Sequence, residues 1–267
     1  MSGTVPGLAA LVLCLGLAAC AQAPSGGSQT SPEMAGSAED NPRARIHTEL
    51  AAQYYARGMY AIALQELQEA VQADSRYAPA HNMFGLVHGA LREDAKAEES
   101  FRLALGISPQ YSEAHNNYGW FLCERGRHGP ALEHFEAALA NPLYAAPDKA
   151  LANAGVCSLR QRDNKRAEGY LARALARAPN QPVALYHMAW LNLEQNRPVD
   201  ARNLLARLGE AGLLDAPALW LGARIERQLG DVAAETSYGT QLRRRFPNSQ
   251  EIYWLNSGQY HLPTLQP

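Results

Sequence analysis

The chain has 267 residues, 47% of them hydrophobic and 19% charged, with a formal net charge of −2. That length fits one sizeable globular body or a short repeat array, and near-neutral charge gives no electrostatic case for a nucleic-acid partner. The one dense cationic cluster, Arg243-Arg244-Arg245, reads as the solvated end of a helix, its cations set against the negative end of the dipole, ahead of a phosphate site.

In chain order, the first element is a targeting segment. The run "LAALVLCLGLAA" from Leu8 to Ala19 is apolar and uncharged. It is too short for a stable bilayer span and fits the core of a signal peptide. It closes on Leu17-Ala18-Ala19-Cys20. Small residues before a cysteine resemble the lipobox of bacterial lipoproteins, in which the thiol is acylated and becomes the new N-terminus. Residues 1–19 then form the signal peptide and Cys20 the lipidation site. No Lys or Arg precedes the apolar core, a departure from that pattern, and the alternative is a plain secretory signal with an incidental cysteine. Residue 21 is Ala, not Asp, which by the same resemblance points to the periplasmic face of the outer membrane. Residues 20–42 carry the lipidated cysteine and a Ser-, Gly-, Pro- and Ala-rich tether without apolar period. A flexible tether of that length reaches on the order of 25 Å.

Residues 43–267 form a repeat domain with a C-terminal capping segment, the motif itself recurring over roughly residues 44–247. His47, His81 and His115 recur every 34 residues, as do Ala51, Gly85 and Gly119, then Ala63, Ala97 and Ala131, then Ala70, Ala104 and Ala138. After a small insertion at "NPLYAAP" the register resumes at Gly155, Ala167 and Ala174, and again at Ala189, Ala201 and Leu208. A weaker last unit carries Leu221-Gly222 and Ala234. This pattern resembles the tetratricopeptide repeat, a helix pair with a small residue where helix A crosses helix B. The resemblance implies an all-α, right-handed superhelical solenoid of about six repeats, ended by a capping segment after Pro247 in which Tyr253, Trp254 and Leu255 cover the last unit. Gly119, costly in a helix interior, is then a crossing point where a side chain would not fit.

The repeat register also explains the histidines. Equivalent residues of a stacked array stand about one repeat apart, whereas zinc needs each nitrogen within about 2.1 Å, so His47, His81 and His115 read as repeat positions and no metal is expected. No HExxH, nucleophile motif or phosphate-binding glycine loop occurs. The expectation is a protein that is not an enzyme and has no cofactor or small-molecule substrate.

Such an array works by holding a partner on the face lined by its A helices. Counting from the small residue, the groove positions are Thr48, Ala52 and Tyr55; Asn82, Leu86 and Gly89; Asn116, Trp120 and Cys123; Ala152, Val156 and Leu159; Tyr186, Trp190 and Leu193. Tyr55, Asn82, Leu86, Asn116 and Trp120 form the candidate site, in the units nearest the tether. Apolar anchors of an extended or helical segment would sit there, with Asn amides meeting its backbone. The alternative for Trp120 and Trp190 is that they fill gaps between stacked helices.

Of the four cysteines, Cys14 leaves with the signal peptide and Cys20 is acylated, so Cys123 and Cys157 remain in an oxidising compartment. Both fall in helix A of neighbouring units. A bridge requires Cα atoms about 4.4–6.8 Å apart. The alternative is two buried thiols.

Three stretches go beyond the generic repeat: "NNYGWFLCERGRHGPALEHFEAAL", "NPLYAAPDKALANAGVCSL" and "WLGARIERQLGDVAAETSYGTQLRRRFPNSQE". Together they resemble the type IV pilus biogenesis and stability lipoproteins (PilF/PilW), the pilotins of the pilus secretin. That resemblance implies an outer-membrane lipoprotein that promotes localisation and multimerisation of the secretin, hence pilus assembly and twitching motility. The rival expectation is a repeat lipoprotein that serves as scaffold for outer-membrane protein assembly or cell-wall enzymes.

Overall fold

The computed structural model describes residues 41–260, and over them the chain is thirteen helices with no strand. Twelve form pairs: α1 (Pro42–Ala56) with α2 (Tyr60–Ala73), α3 (Ala78–Ala90) with α4 (Asp94–Ile107), α5 (Ser112–Glu124) with α6 (His128–Ala140), α7 (Pro147–Arg160) with α8 (Asn164–Arg177), α9 (Pro182–Glu194) with α10 (Pro198–Glu210), and α11 (Ala216–Leu229) with α12 (Val232–Arg245). A short α13 (Gln250–Asn256) follows. The first helix of each pair also packs on the first helix of the next, so the pairs stack as a solenoid. Among the described residues no helix is long and apolar enough to cross a membrane.

The crossing inside each pair is set by the small residue. A Cβ on Gly85 would lie 2.6 Å from the Phe101 ring, one on Gly155 2.7 Å from Leu171, and one on Gly222 2.7 Å from Tyr238. In the first and fifth pairs Ala51 and Ala189 fill the same place, fully buried. Each pair turns through one residue in the left-handed region, φ between 59° and 76°: Gly58, Arg92, Gly126, Arg162, Asn196 and Gly230. A left-handed conformation costs a non-glycine residue about 1 kcal/mol, so Arg92, Arg162 and Asn196 hold theirs because the pair on either side dictates it.

One boundary and one capping residue differ from the sequence reading. Asn41 and Pro42, assigned above to the tether, belong to the solenoid. Asn41 caps α1 through Oδ1, which accepts from the Arg43 and Ala44 amides, while its Nδ2 donates to the Ala73 carbonyl at 2.9 Å. Pro42 then opens the helix, where a missing N–H costs nothing. The signal peptide, Cys14, Cys20 and the remaining tether lie outside the described residues. At the other end Trp254 packs on Trp220, ring centroids 4.9 Å apart, and Leu255 is buried, but Tyr253 is 61% exposed and covers nothing. On a single short helix Tyr253 cannot face the same side as both its neighbours. Arg243, Arg244 and Arg245 form the last turn of α12, where Arg245 donates to the Leu214 carbonyl.

The insertion is a folded turn between α6 and α7. Asn141 Oδ1 accepts from the Leu143 amide and Nδ2 donates to Ser112 Oγ at 3.1 Å, while Tyr144 is buried against Ala138 and Ala150. Beyond it, Cys123 on α5 and Cys157 on α7 are joined by a disulfide, Cα atoms 5.8 Å apart.

Candidate functional site

A half-open cavity of about 310 Å³ lies across the first three pairs. Tyr55 at the end of α1, Tyr60 at the start of α2, Leu86 and Gly89 on α3, and Trp120 and Glu124 on α5 line it. The aromatic walls come from chain-distant positions that the repeat period brings to one face. Tyr55 and Tyr60 are tilted against each other with centroids 5.7 Å apart, and the Arg160 guanidinium of α7 sits 5.1 Å from the Trp120 ring. Burial, then Tyr60 and the Glu124 carboxylate, push the Tyr55 hydroxyl above its ordinary pKa, so it stays protonated and can donate.

Arg125 fixes one rim. It donates to both Asp94 oxygens at 2.7–3.1 Å and to the Gly89 carbonyl at 3.0 Å, with its carbon 4.8 Å from the Phe121 ring centroid. These bonds raise the Arg125 pKa and hold the Asp94 carboxyl below the usual range. One cation therefore clamps α5 to the turn between α3 and α4. Its role is to hold the rim's shape.

Of the five predicted site residues, Tyr55, Leu86 and Trp120 share this cavity, whereas Asn82 and Asn116 do not line it. Both asparagines are buried, 4% and 8% exposed. They belong to an amide ladder across three A helices: Asn117 Nδ2 donates to Asn82 Oδ1 (3.2 Å), Asn116 Nδ2 to Asn117 Oδ1 (3.5 Å), and Asn153 Nδ2 to Asn116 Oδ1 (3.0 Å). The ladder ties α3, α5 and α7 beneath the groove. Asn117, one step off the groove register, reaches the cavity wall instead; the doubled amide "NN" was its only sequence signal.

The inner face also closes sooner than register counting implies. Ala152, Val156 and Leu159 are buried, as are Cys123, Trp190 and Leu193. Trp190 fills space between helices, only 9% exposed. Thr48 turns its hydroxyl back to the Ala44 carbonyl at 2.8 Å. The groove positions that stay open are Ala52, Tyr55, Leu86, Gly89 and Trp120 at the N-terminal end, and Tyr186 in the fifth pair.

The repeat-position histidines each bond locally. His47 Nδ1 meets Glu66 at 2.7 Å, and His81 Nε2 donates to the Ser75 carbonyl at 2.9 Å. His115 Nε2 donates to the Pro109 carbonyl, so in the neutral ring Nδ1 accepts, and the His134 Nδ1–H at 2.9 Å is its donor. Among the described residues no cluster of three or more His, Cys, Asp or Glu could hold a metal.

An aromatic cavity edged by Asn117, Glu124 and Arg125 can hold side chains of a partner. The paired helices and their stacking define a fold of the tetratricopeptide-repeat class. Models of that repeat match residues 78–111 and 158–225. The crystal structure of PilW, a widely conserved type IV pilus biogenesis factor, is 34% identical, covered over 98% of its length by 80% of this chain, with a TM-score of 0.71. The solved PilF of Pseudomonas aeruginosa is 28% identical, covered over 98% by 81% of this chain, with a TM-score of 0.73. Along the sequence, the type IV pilus assembly protein PilF of that organism is 29% identical over 248 residues, 93% of this chain and 96% of the relative. The chain belongs to the PilF/PilW family of type IV pilus biogenesis factors.

Proposed function

We propose that this protein is a pilotin: anchored in the outer membrane through acylated Cys20, it binds the type IV pilus secretin from the periplasm and promotes its localisation and multimerisation. Pilus assembly and twitching motility follow from that step. The observation that carries this reading is the convergence of Tyr55, Leu86 and Trp120, from three successive repeats, on one cavity in a chain of the pilus biogenesis family. That end of the array is the one joined to the tether. An aromatic anchor desolvated in such a cavity can contribute about 2 kcal/mol or more.

A photo-crosslinking residue in place of Trp120 tests the partner. The expected adduct is the secretin, identified by mass; a porin or a cell-wall enzyme in its place would favour the scaffold reading. Cys20→Ser tests the anchor. The variant should be a folded periplasmic protein, and its persistence in outer-membrane fractions of cells lacking the secretin would reject lipidation at Cys20.

A further inference from the structure

The outer face of α8 and of the turn before it is cationic. Residues 162–177 hold five Lys and Arg against two acids, in a chain whose net charge is −2. Arg162, Lys165, Arg166, Arg173 and Arg177 are all exposed. Both acids are engaged: Asp163 meets Arg166 at 3.5 Å, and Glu168 accepts from Arg197 at 2.9 Å. Among the described residues Arg162, Lys165, Arg173 and Arg177 form no ion pair.

The shape of this face says what kind of anion fits it. At 3.6 residues per turn, Lys165, Arg166, Arg173 and Arg177 fall within about 120° of the α8 circumference and extend over about 18 Å. The exposed residues between them are Gly169, Ala172 and Ala176, which leave the long cationic side chains free to spread. No large apolar side chain of residues 162–177 is exposed, so the face lacks the anchors on which the binding energy of a protein partner concentrates. The flanking outer helices carry the opposite charge, for α6 exposes Glu133 and Glu136 and α10 exposes Asp200 and Glu210. The cationic band is therefore one helix wide. Second helices of the pairs lie on the convex side of such a stack, opposite the groove, and a planar surface meets a convex one along a single crest. We propose that α8 rests on the anionic phospholipid headgroups of the membrane to which the chain is tethered, which turns the groove of the first helices away from the bilayer. The inference rests on the lipoprotein reading for what brings α8 to a membrane. It is independent of the partner in the N-terminal cavity.

The test is flotation of the full chain carrying Cys20→Ser, which has no acyl anchor, with two kinds of vesicle. One is phosphatidylethanolamine with phosphatidylglycerol; the other has phosphatidylcholine in place of the phosphatidylglycerol. The apolar run Leu8–Ala19 favours neither composition, so the difference reads the protein's charge. Binding should be tighter to the anionic vesicles, and the difference should vanish at about 1 M salt, where the screening length is about 3 Å. Each Lys or Arg near an anionic bilayer contributes about fivefold. Adding Lys165→Gln/Arg173→Gln/Arg177→Gln should therefore weaken that binding about a hundredfold with helical circular dichroism intact. Lys96→Gln/Arg102→Gln, which removes exposed cations of α4, should leave it as it was. Equal binding to both vesicles, a difference that survives salt, or a folded triple variant that binds undiminished would overturn the proposal. So would capture of a poly-glutamate peptide without binding to anionic vesicles, the mark of an acidic protein segment. If the triple variant does not fold, the lipid and salt comparisons decide by themselves. A chain found unacylated at Cys20 in cells fails the lipoprotein reading and not the affinity of α8 for anionic lipid, which the vesicles read separately.

Discussion

The ring of Phe135 occupies the space in which a side chain on Gly119 would stand. A Cβ built on Gly119 lies 2.9 Å from Phe135 Cε1 and 3.0 Å from the Ala131 carbonyl oxygen, both below ordinary contact. Phe135 is fully buried and the carbonyl belongs to the backbone, so neither yields cheaply. Gly119→Ala should therefore destabilise the protein by about 1–3 kcal/mol, although alanine is the better helix former. Gly169, on the exposed side of α8 with nothing within 4 Å of its Cβ, should behave oppositely and gain about 0.5–1 kcal/mol on replacement by alanine. Urea unfolding of the two variants gives both signs in one experiment.

Stability should fall with acid in a window set by two histidines. Burial, followed by the charges of His115 and Arg127, holds His134 down to about 4, and burial with Arg160 holds His187 to about the same value. In the unfolded chain both titrate near 6.5. The unfolded state thus takes up protons first, and stability, fully present above about pH 6.5, is lost as pH drops towards 4. Urea midpoints at pH 7.5 and pH 5 should show the loss, and His134→Gln should make it shallower. A midpoint that rises between those two pH values would contradict the assignment.

The Cys123–Cys157 bridge closes a loop over a sequence separation of 34 residues. A loop of that size stabilises by about 3–4 kcal/mol in the chain-entropy model. Protein denatured without reductant should show no thiol from this pair and two after reduction, and the reduced form should unfold at lower urea. Two reactive thiols before reduction would place Cys123 and Cys157 as free residues.

How much was legible in the sequence follows from what a period can carry. The 34-residue recurrence exposes every crossing residue, because the packing at Gly85, Gly119 and Gly155 is the same physical event repeated. The left-handed turn residues recur with it, yet at Arg92, Arg162 and Asn196 the side chain hides a conformation that neighbouring glycines would have announced. Asn41-Pro42 carried a cap signal, an amide acceptor before a first-turn proline, but its flexible-looking surroundings concealed it. In the site, Tyr55, Leu86 and Trp120 were legible as register positions. The turning of Asn82 and Asn116 into a ladder was not, because their partners Asn117 and Asn153 stand on positions that groove counting passes over. The burial of Ala152, Val156 and Leu159 depends on how closely successive A helices stack, which spacing alone does not report.

If the cavity of the first three repeats holds the secretin, removing its aromatic walls should abolish secretin assembly. The most direct measurement is the level of secretin multimers in cells that carry Tyr55→Ala/Trp120→Ala, with Tyr253→Ala, an exposed residue far along the chain, as the control. Loss of one anchor contribution of about 2 kcal/mol weakens binding roughly thirtyfold. Multimers should disappear in the double variant while the protein stays helical and membrane-bound, and Tyr253→Ala should match the wild type. Wild-type multimer levels in a folded Tyr55→Ala/Trp120→Ala protein would contradict it.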